Sequence, residues 1–303
     1  MDKSETVAVN GTLLSPRTFV TMLRVLWVAL AVVVGFAIAS AGDDHTKAAG
    51  FVSATGWWLV VAVVVVALVV PSALGLTVVR MIAPFTVVIA VTALALGAST
   101  VIGAIAVALA AVVALLAMSG EVGEAMVQGS AYGKEHRLPL RPPAALLLPV
   151  VVSWVIWAAA VLAAALLLSA QAWLIGILVT TLALCLTWLL GTRSHRLSIR
   201  WLVLVPAGVV VHDPVVMGET LMVPKANLKV ARLALADTQA ADLTGPAAGV
   251  TLDIAVREMV LAVFAPTRTQ PKGRAIHVQS FLVAPSRPGR ALQALAAAGL
   301  PVA

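Results

Sequence analysis

A chain of 303 residues with 61% apolar and only 11% charged residues, and a mean hydropathy of +1.06, is not a water-soluble globule; soluble proteins carry about 25% charged residues. Its net charge of +7 and pI near 10.3 come without a long basic run or a basic helix with interleaved aromatics, which argues against nucleic acid as a partner and for a basic bias on one side of a lipid bilayer. The single cysteine, Cys185, leaves neither a disulfide framework nor a thiol metal cluster.

Residues 1–18 are polar enough to form a cytoplasmic N-terminal tail, and the apolar run from Phe19 to Ala41 is long enough for a first span, with Arg24 near enough to its start to snorkel back to water. Ala39, Ser40 and Ala41 resemble a signal-peptidase site, the alternative reading of this run, although the run is long for a signal peptide. Asp43, Asp44, His45 and Lys47 mark a polar loop, and Trp57 with Trp58 opens a second span that extends to about Val79 and contains Pro71 and Gly75. Between Arg80 and Glu121 the chain has room for two short spans, with Gly97, Ala98, Ser99 and Thr100 as their turn. Two more fit between Ala144 and Gly191, separated at Ser169, Ala170 and Gln171. Small residues at helical spacing, Gly103, Val107 and Ala111 or Ala106, Ala110 and Ala114, suit close packing of helices in lipid.

Charge fixes the parity of the crossings. Arg80, the group Lys134, Arg137 and Arg141, and the group Arg193, Arg196 and Arg200 all have the basic character of a cytoplasmic face, so an even number of spans separates them. The expectation is an α-helical polytopic bundle of about six transmembrane helices over 19–191, arranged as three hairpins, with both termini on the cytoplasmic side of a bacterial plasma membrane. Heavy use of Ala, Val, Leu, Gly and Arg with little Lys suits a GC-rich, actinobacterial genome. Residues 119–143 read as a solvated cytoplasmic connector whose cations gain about 1 kcal/mol each near anionic headgroups.

From residue 199 onward the pattern changes to a small β-rich cytoplasmic domain. Short runs at Trp201–Val205, Gly208–His212, Glu219–Val223, Val250–Val256, Met259–Phe264 and Ala275–Ala284 alternate with proline and glycine punctuation. Leu252, Ile254 and Val256 alternate with Thr251, Asp253 and Ala255, the period of a half-buried strand. A closing helix follows, with Ser286 as its N-cap, Leu292, Leu295 and Ala296 on one face, Gly299 at C′ and Pro301 beyond.

This order of strands capped by one helix resembles the bacterial pleckstrin-homology-like domains, which implies a bent sheet closed by the helix. The wording Arg200-Trp201-Leu202-Val203-Leu204-Val205-Pro206-Ala207-Gly208, then His212-Asp213-Pro214 and Ala241-Asp242-Leu243-Thr244-Gly245, together with Tyr132-Gly133 and the Arg137 to Pro143 stretch, resembles a family of uncharacterised actinobacterial integral membrane proteins. That resemblance implies a membrane location and no particular activity.

Chemistry is sparse. Intramembrane ionisable residues are by default functional, and Arg24 at a helix end is all that the expected spans contain. A proton relay, an intramembrane protease constellation, Walker A and GxGxxG sequences do not occur, and His45, His136, His195, His212 and His277 are scattered. His212 with Asp213 looks like an acid-base pair, but an Asp-Pro step after a strand is more often a turn. No catalytic residue, cofactor or metal ligand is therefore expected. The residues able to meet anionic lipid headgroups or an acidic protein partner are Arg137, Arg141, Arg193, Arg196, Arg200, Arg268, Lys272 and Arg274. The expected role is a non-enzymatic anchor or scaffold with a cytoplasmic interaction domain. The alternatives are a small transporter or lipid translocator, with Ser153, Thr180, Thr181, Thr187, Pro71 and Gly75 along its path, and an enzyme acting on lipid headgroups through the loop from Glu121 to Arg141.

Overall fold

The computed structural model describes residues 15–41, 46–235, 237–267 and 270–303. Asp43, Asp44, His45 and Arg268, and most of the predicted N-terminal tail, lie outside these described residues. Among the described residues, six helices are long and apolar enough to cross a membrane. In chain order they are α1 Pro16–Ala41, α2 Lys47–Val69, α3 Ala73–Ala95 and α4 Thr100–Met118, then, after a short helix α5 Gly120–Gln128, α6 Ala144–Ser169 and α7 Trp173–Ser198. The chain is a polytopic membrane bundle followed by a small sheet domain and a C-terminal helix.

The second span differs from the expected one. Residues read as loop up to Gly56 are already helical, because Thr46 caps α2 at Lys47 by accepting a hydrogen bond from the Ala49 N–H. The helix stops at Val69 because Pro71 brings no N–H and pushes Val70 out of the helical region, to φ −110° and ψ 86°. Pro71 therefore separates two helices instead of kinking one, and Ser72 starts α3 by accepting from the Gly75 N–H at 3.0 Å. Arg80, expected as a flank between spans, consequently sits two turns inside α3. The other two hairpin turns fall where expected, at Gly97, which adopts φ +101°, and at Gln171, with φ +58°.

Helices α1 to α4 share one core that includes Trp27, Trp57, Leu76, Ala90, Ala106 and Ala110, with the Trp57 indole donating to the Ala31 carbonyl at 3.0 Å. Of the small-residue positions on α4, Gly103, Ala106 and Ala110 are buried and Val107, Ala111 and Ala114 half-buried, and a Cβ on Gly103 would lie 2.6 Å from Leu94 Cδ1. The α6–α7 hairpin leans on α3 through a satellite cluster of Met81, Phe85, Trp157, Ala158 and Leu190. There Phe85 and Trp157 have ring centroids 5.2 Å apart, and Trp154 donates to the Met81 carbonyl at 2.9 Å.

Among the described residues, two four-stranded sheets make up most of the remainder. The first contains β1 His136–Pro139, β2 Trp201–Val205, β3 Gly208–His212 and β4 Leu221–Pro224; the second contains β5 Leu228–Leu233, β6 Ala241–Asp242, β7 Leu252–Phe264 and β8 Arg274–Val283. The first runs β1-β2-β3-β4 and the second β5-β7-β8-β6, antiparallel except for the β6–β8 pair. Two predicted strands, Val250–Val256 and Met259–Phe264, merge into β7, which is bent by a register shift between Ala255 and Val260. Between the sheets lies one apolar core that includes Leu202, Val211, Leu243, Ile254, Phe281 and Leu295. The last of these belongs to the closing helix α8, Pro288–Ala297. This helix begins with Pro288, while Ser286, expected as its cap, instead donates its N–H to the Pro139 carbonyl at 2.8 Å. Gly299 takes the C′ position at φ +67°, as expected.

The connector between α4 and α6 is not a solvated loop. Its first part is α5, whose Val122, Met126 and Val127 are fully buried in the α1–α4 core. Its second part is β1, whose Leu138 opposes Leu202 in the first sheet. The alternation Arg137-Leu138-Pro139-Leu140-Arg141 is the strand signal that explains this: Leu138 and Leu140 are buried in the sheet domain core.

Candidate functional site at the junction of bundle and sheet domain

The chain concentrates its polar chemistry where α5, β1 and the last turn of α7 meet the sheets. Arg200 follows α7 directly and Asp213 ends the β2–β3 hairpin, so antiparallel pairing of Trp201 with His212 brings these two flanking residues together. Arg200 Nε and Nη2 donate to the two Asp213 carboxylate oxygens at 2.8 and 2.6 Å, with both side chains essentially inaccessible to water. Two further guanidinium donors reach the Arg141 carbonyl at 2.6 Å and the Thr244 carbonyl at 3.3 Å. Asp213 Oδ1 also accepts from the Val215 and Val216 N–H groups, at 3.0 and 3.2 Å. The Asp-Pro turn read from the sequence is thus real, and its carboxylate is also the counter-ion of a buried arginine. Such a pair, with four of the five guanidinium N–H donors engaged, ties the end of the bundle to three segments of the sheet domain.

Beside it, on the first sheet, Arg137 packs over the Trp201 ring at 4.8 Å and Trp201 stacks on His212 at 5.5 Å. Arg137 also pairs with Glu135 at 2.6 Å, and the Tyr132 N–H, together with Arg137, holds the Glu135 carboxyl below the usual range. Burial, reinforced by the Arg137 charge and opposed by Asp213, lowers the His212 pKa and favours its neutral form. Its Nδ1 lies 3.1 Å from the Thr220 hydroxyl, so His212 is not paired with Asp213 as an acid and base.

A second set of charges joins α5 to α8. Glu121 meets Arg287, and Glu124 meets Arg290 at 3.4 Å and His136 at 3.5 Å. Burial alone would raise the Glu124 pKa; the His136 hydrogen bond and the Arg290 charge outweigh it and hold the carboxyl below its usual range. No local pattern marks Arg287 or Arg290 as partners, since they lie far along the chain from α5. The amphipathic pattern of Gly120–Gln128, with Glu121 and Glu124 on one face and Val122, Met126 and Val127 elsewhere, was the available signal.

Of the expected contact residues, the structure keeps together only part. Arg200 is buried in its ion pair, against the expectation of a lipid or partner contact, because Asp213 neutralises it inside the sheet domain. Arg137 is engaged as described, and Arg141 donates to the Val250 carbonyl. Arg193 and Arg196 are exposed on the last turns of α7, where Arg196 donates to the Pro214 carbonyl at 2.9 Å. Lys272 and Arg274 are exposed at the far end of the β7–β8 hairpin.

No protein family, curated protein or solved structure matches the chain. Its chemistry therefore rests on its own side chains. Within the bundle, Arg24 donates to the Leu68 carbonyl at 2.7 and 3.1 Å, so it closes the C-terminal turn of α2 from an exposed position near the start of α1. Arg80 extends toward the Ala117 and Ser119 carbonyls, at 3.5 and 3.4 Å, at the end of α4. Both cations thus serve the carbonyl-rich ends of neighbouring helices, where positive charge is favoured. The hydroxyls of Thr180, Thr181 and Thr187 bond to the carbonyls of Gly176, Ile177 and Ala183 in their own helix, at 2.7, 2.9 and 2.7 Å. Among the described residues no group of three or more His, Cys, Asp or Glu side chains could hold a metal ion.

Proposed function

We propose that this protein is a non-enzymatic membrane scaffold, related to the actinobacterial integral membrane proteins that its sequence resembles, whose sheet domain docks a protein partner on the cytoplasmic side of the plasma membrane. The contrast between the two halves carries this reading. In the bundle, the embedded arginines and the threonine hydroxyls are engaged with helix backbone, and α5 packs across the end of α1 to α4. In the sheet domain, Met259 and Leu261, neighbours on β7, stand 64 and 50% exposed outside the spanning helices, beside the exposed Arg257. Apolar surface outside the bilayer and beside charge is the usual mark of a protein contact.

The basic residues at the sheet-domain end of the bundle support the cytoplasmic orientation. Reporter fusions after Ala48 and Ala303 test it, and they must report opposite sides of the membrane. Docking is tested with a photo-crosslinking amino acid placed at Met259 or Leu261 in living cells, with Leu184 on the lipid-facing side of α7 as reference. Discrete protein adducts are expected from the two sheet positions and not from Leu184. Adducts with lipid alone at all three positions would remove the scaffold reading.

A further inference from the structure

The second sheet has an unequal pair of edges. On the β5 side the chain's own end closes the edge: Ala231 donates to the Pro301 carbonyl at 2.9 Å, and the Ala303 N–H donates to the Ala231 carbonyl at 3.1 Å. The first sheet protects β1 in a similar way, since the Gln128 side chain bonds to the Glu135 carbonyl and the Arg137 N–H, both at 2.9 Å. The outer edge of β8 is different. Strand β6 covers it only where Ala241 faces Phe281 and Asp242 faces Leu282. From Arg274 to Gln279, among the described residues, β8 has no backbone partner outside its ladder with β7. In an antiparallel strand every second residue directs its N–H and C=O away from one neighbour, so this stretch presents a row of free donors and acceptors.

Beside that row the chain leaves room. Gln239 and Ala240, which lead into β6, are outside the β6–β8 pairing, and a concavity of about 520 Å³ lies between them and Ile276, His277, Val278 and Gln279 and continues over the sheet face to Ala255, Val256 and Lys229. A stretch of this length accommodates an extended segment on the order of 20 Å long, at about 3.3 Å per residue. The electrostatics favour one sign of occupant. Lys229, Arg257, Lys272 and Arg274 are exposed on and beside the sheet against the exposed acids Glu258 and Asp237, while Asp253 is engaged with Arg232 and Ser280, at 3.0 and 2.6 Å, and Asp242 with Thr244, which leaves a positive balance.

We propose that the free edge of β8, from Arg274 to Gln279, is a docking slot in which an extended acidic segment of a protein partner adds as a strand to the second sheet. The inference rests on the scaffold reading and specifies the surface that performs it. Main-chain hydrogen bonds supply affinity, as in other strand-addition complexes, and the surrounding cations select for acidic side chains. A second copy of this chain is a poor occupant, because it would bring the same cations face to face.

The test uses the full-length protein in nanodiscs of zwitterionic lipid, panned against a displayed library of random twelve-residue peptides. Recovered peptides should alternate apolar with acidic residues, and the synthetic peptides should slow amide hydrogen exchange at Arg274–Gln279. The variant Lys272→Glu/Arg274→Glu, and separately Ala240→Trp to fill the slot, should weaken binding at least about tenfold while melting like the parent. Failure to enrich peptides, protection elsewhere, or affinity unchanged in the folded variants would overturn the slot. Concentration-dependent protection of the edge without peptide would overturn it in favour of a second copy. Adducts at Met259 that persist in both edge variants would remove the slot and leave the scaffold reading intact; absence of those adducts in the parent protein would remove both.

Discussion

Replacing Asp213 by Ala tests the central joint of the molecule. Arg200 is 1% exposed and its guanidinium makes two bonds to the carboxylate, at 2.8 and 2.6 Å, so the substitution leaves a full charge buried against two backbone carbonyls. Removing one partner of a buried pair destabilises by about 3–5 kcal/mol, and loss of the turn bonds from Val215 and Val216 adds to it. By contrast, replacing both partners with Arg200→Met/Asp213→Leu removes the stranded charge and should recover much of the loss. Native-state hydrogen exchange of the β2 and β3 amides in detergent reads local stability directly, and a double-mutant cycle separates the pair from its surroundings. Asp213→Ala with less than about 1 kcal/mol of destabilisation, or a double variant worse than the sum of the singles, would refute a stability role for this pair.

Gly129 lies against the α2–α3 break, where an added Cβ would sit 2.5 Å from the Pro71 carbonyl oxygen; Gly129→Val should therefore reduce the yield of folded protein by gel filtration, whereas Gly133→Val, with open space around its missing Cβ, is strained only by its φ of +58° and should do less harm. The Glu124 carboxyl, held below its usual range in the fold, contributes stability that is present above the ordinary carboxylate range and is lost as pH falls through the lowered folded value. Glu124→Gln should accordingly lower Tm at neutral pH, with the difference shrinking in acid; an equal difference at both pH values would contradict the α5–α8 linkage. Arg24→Leu should destabilise by about 1–3 kcal/mol through the unpaired Leu68 carbonyl, measured by denaturation in mixed micelles.

Hydropathy and charge were enough to locate the bundle because the relevant signals are local. The α3–α4 and α6–α7 turns follow from short polar interruptions at Gly97–Thr100 and Ser169–Gln171, and the small-residue stripe on α4 follows from its spacing. The α2–α3 boundary was misplaced because the apolar run continues from Trp57 to Val79 without a charge, and only the backbone consequence of Pro71 divides it. The junction was hidden for another reason. Arg200 and Asp213, Glu121 and Arg287, and Glu124 and Arg290 become neighbours only after the sheets close, so each looks like a solvated charge when read locally. Composition could suggest that Arg193 and Arg196 stay exposed; it could not separate them from Arg200.

The place of β1 in the chain has a consequence for biosynthesis. This strand leaves the ribosome before α6 and α7, yet its partner β2 follows them. The first sheet cannot close until that last hairpin has been made and inserted in the correct orientation, and until then Leu138 and Leu140 have no core to enter. A nascent chain that fails to insert α6 and α7 thus keeps an unpaired strand and an unfinished domain, a recognisable target for chaperones and proteases. Completion of the sheet domain thereby becomes a checkpoint for completion of the membrane bundle.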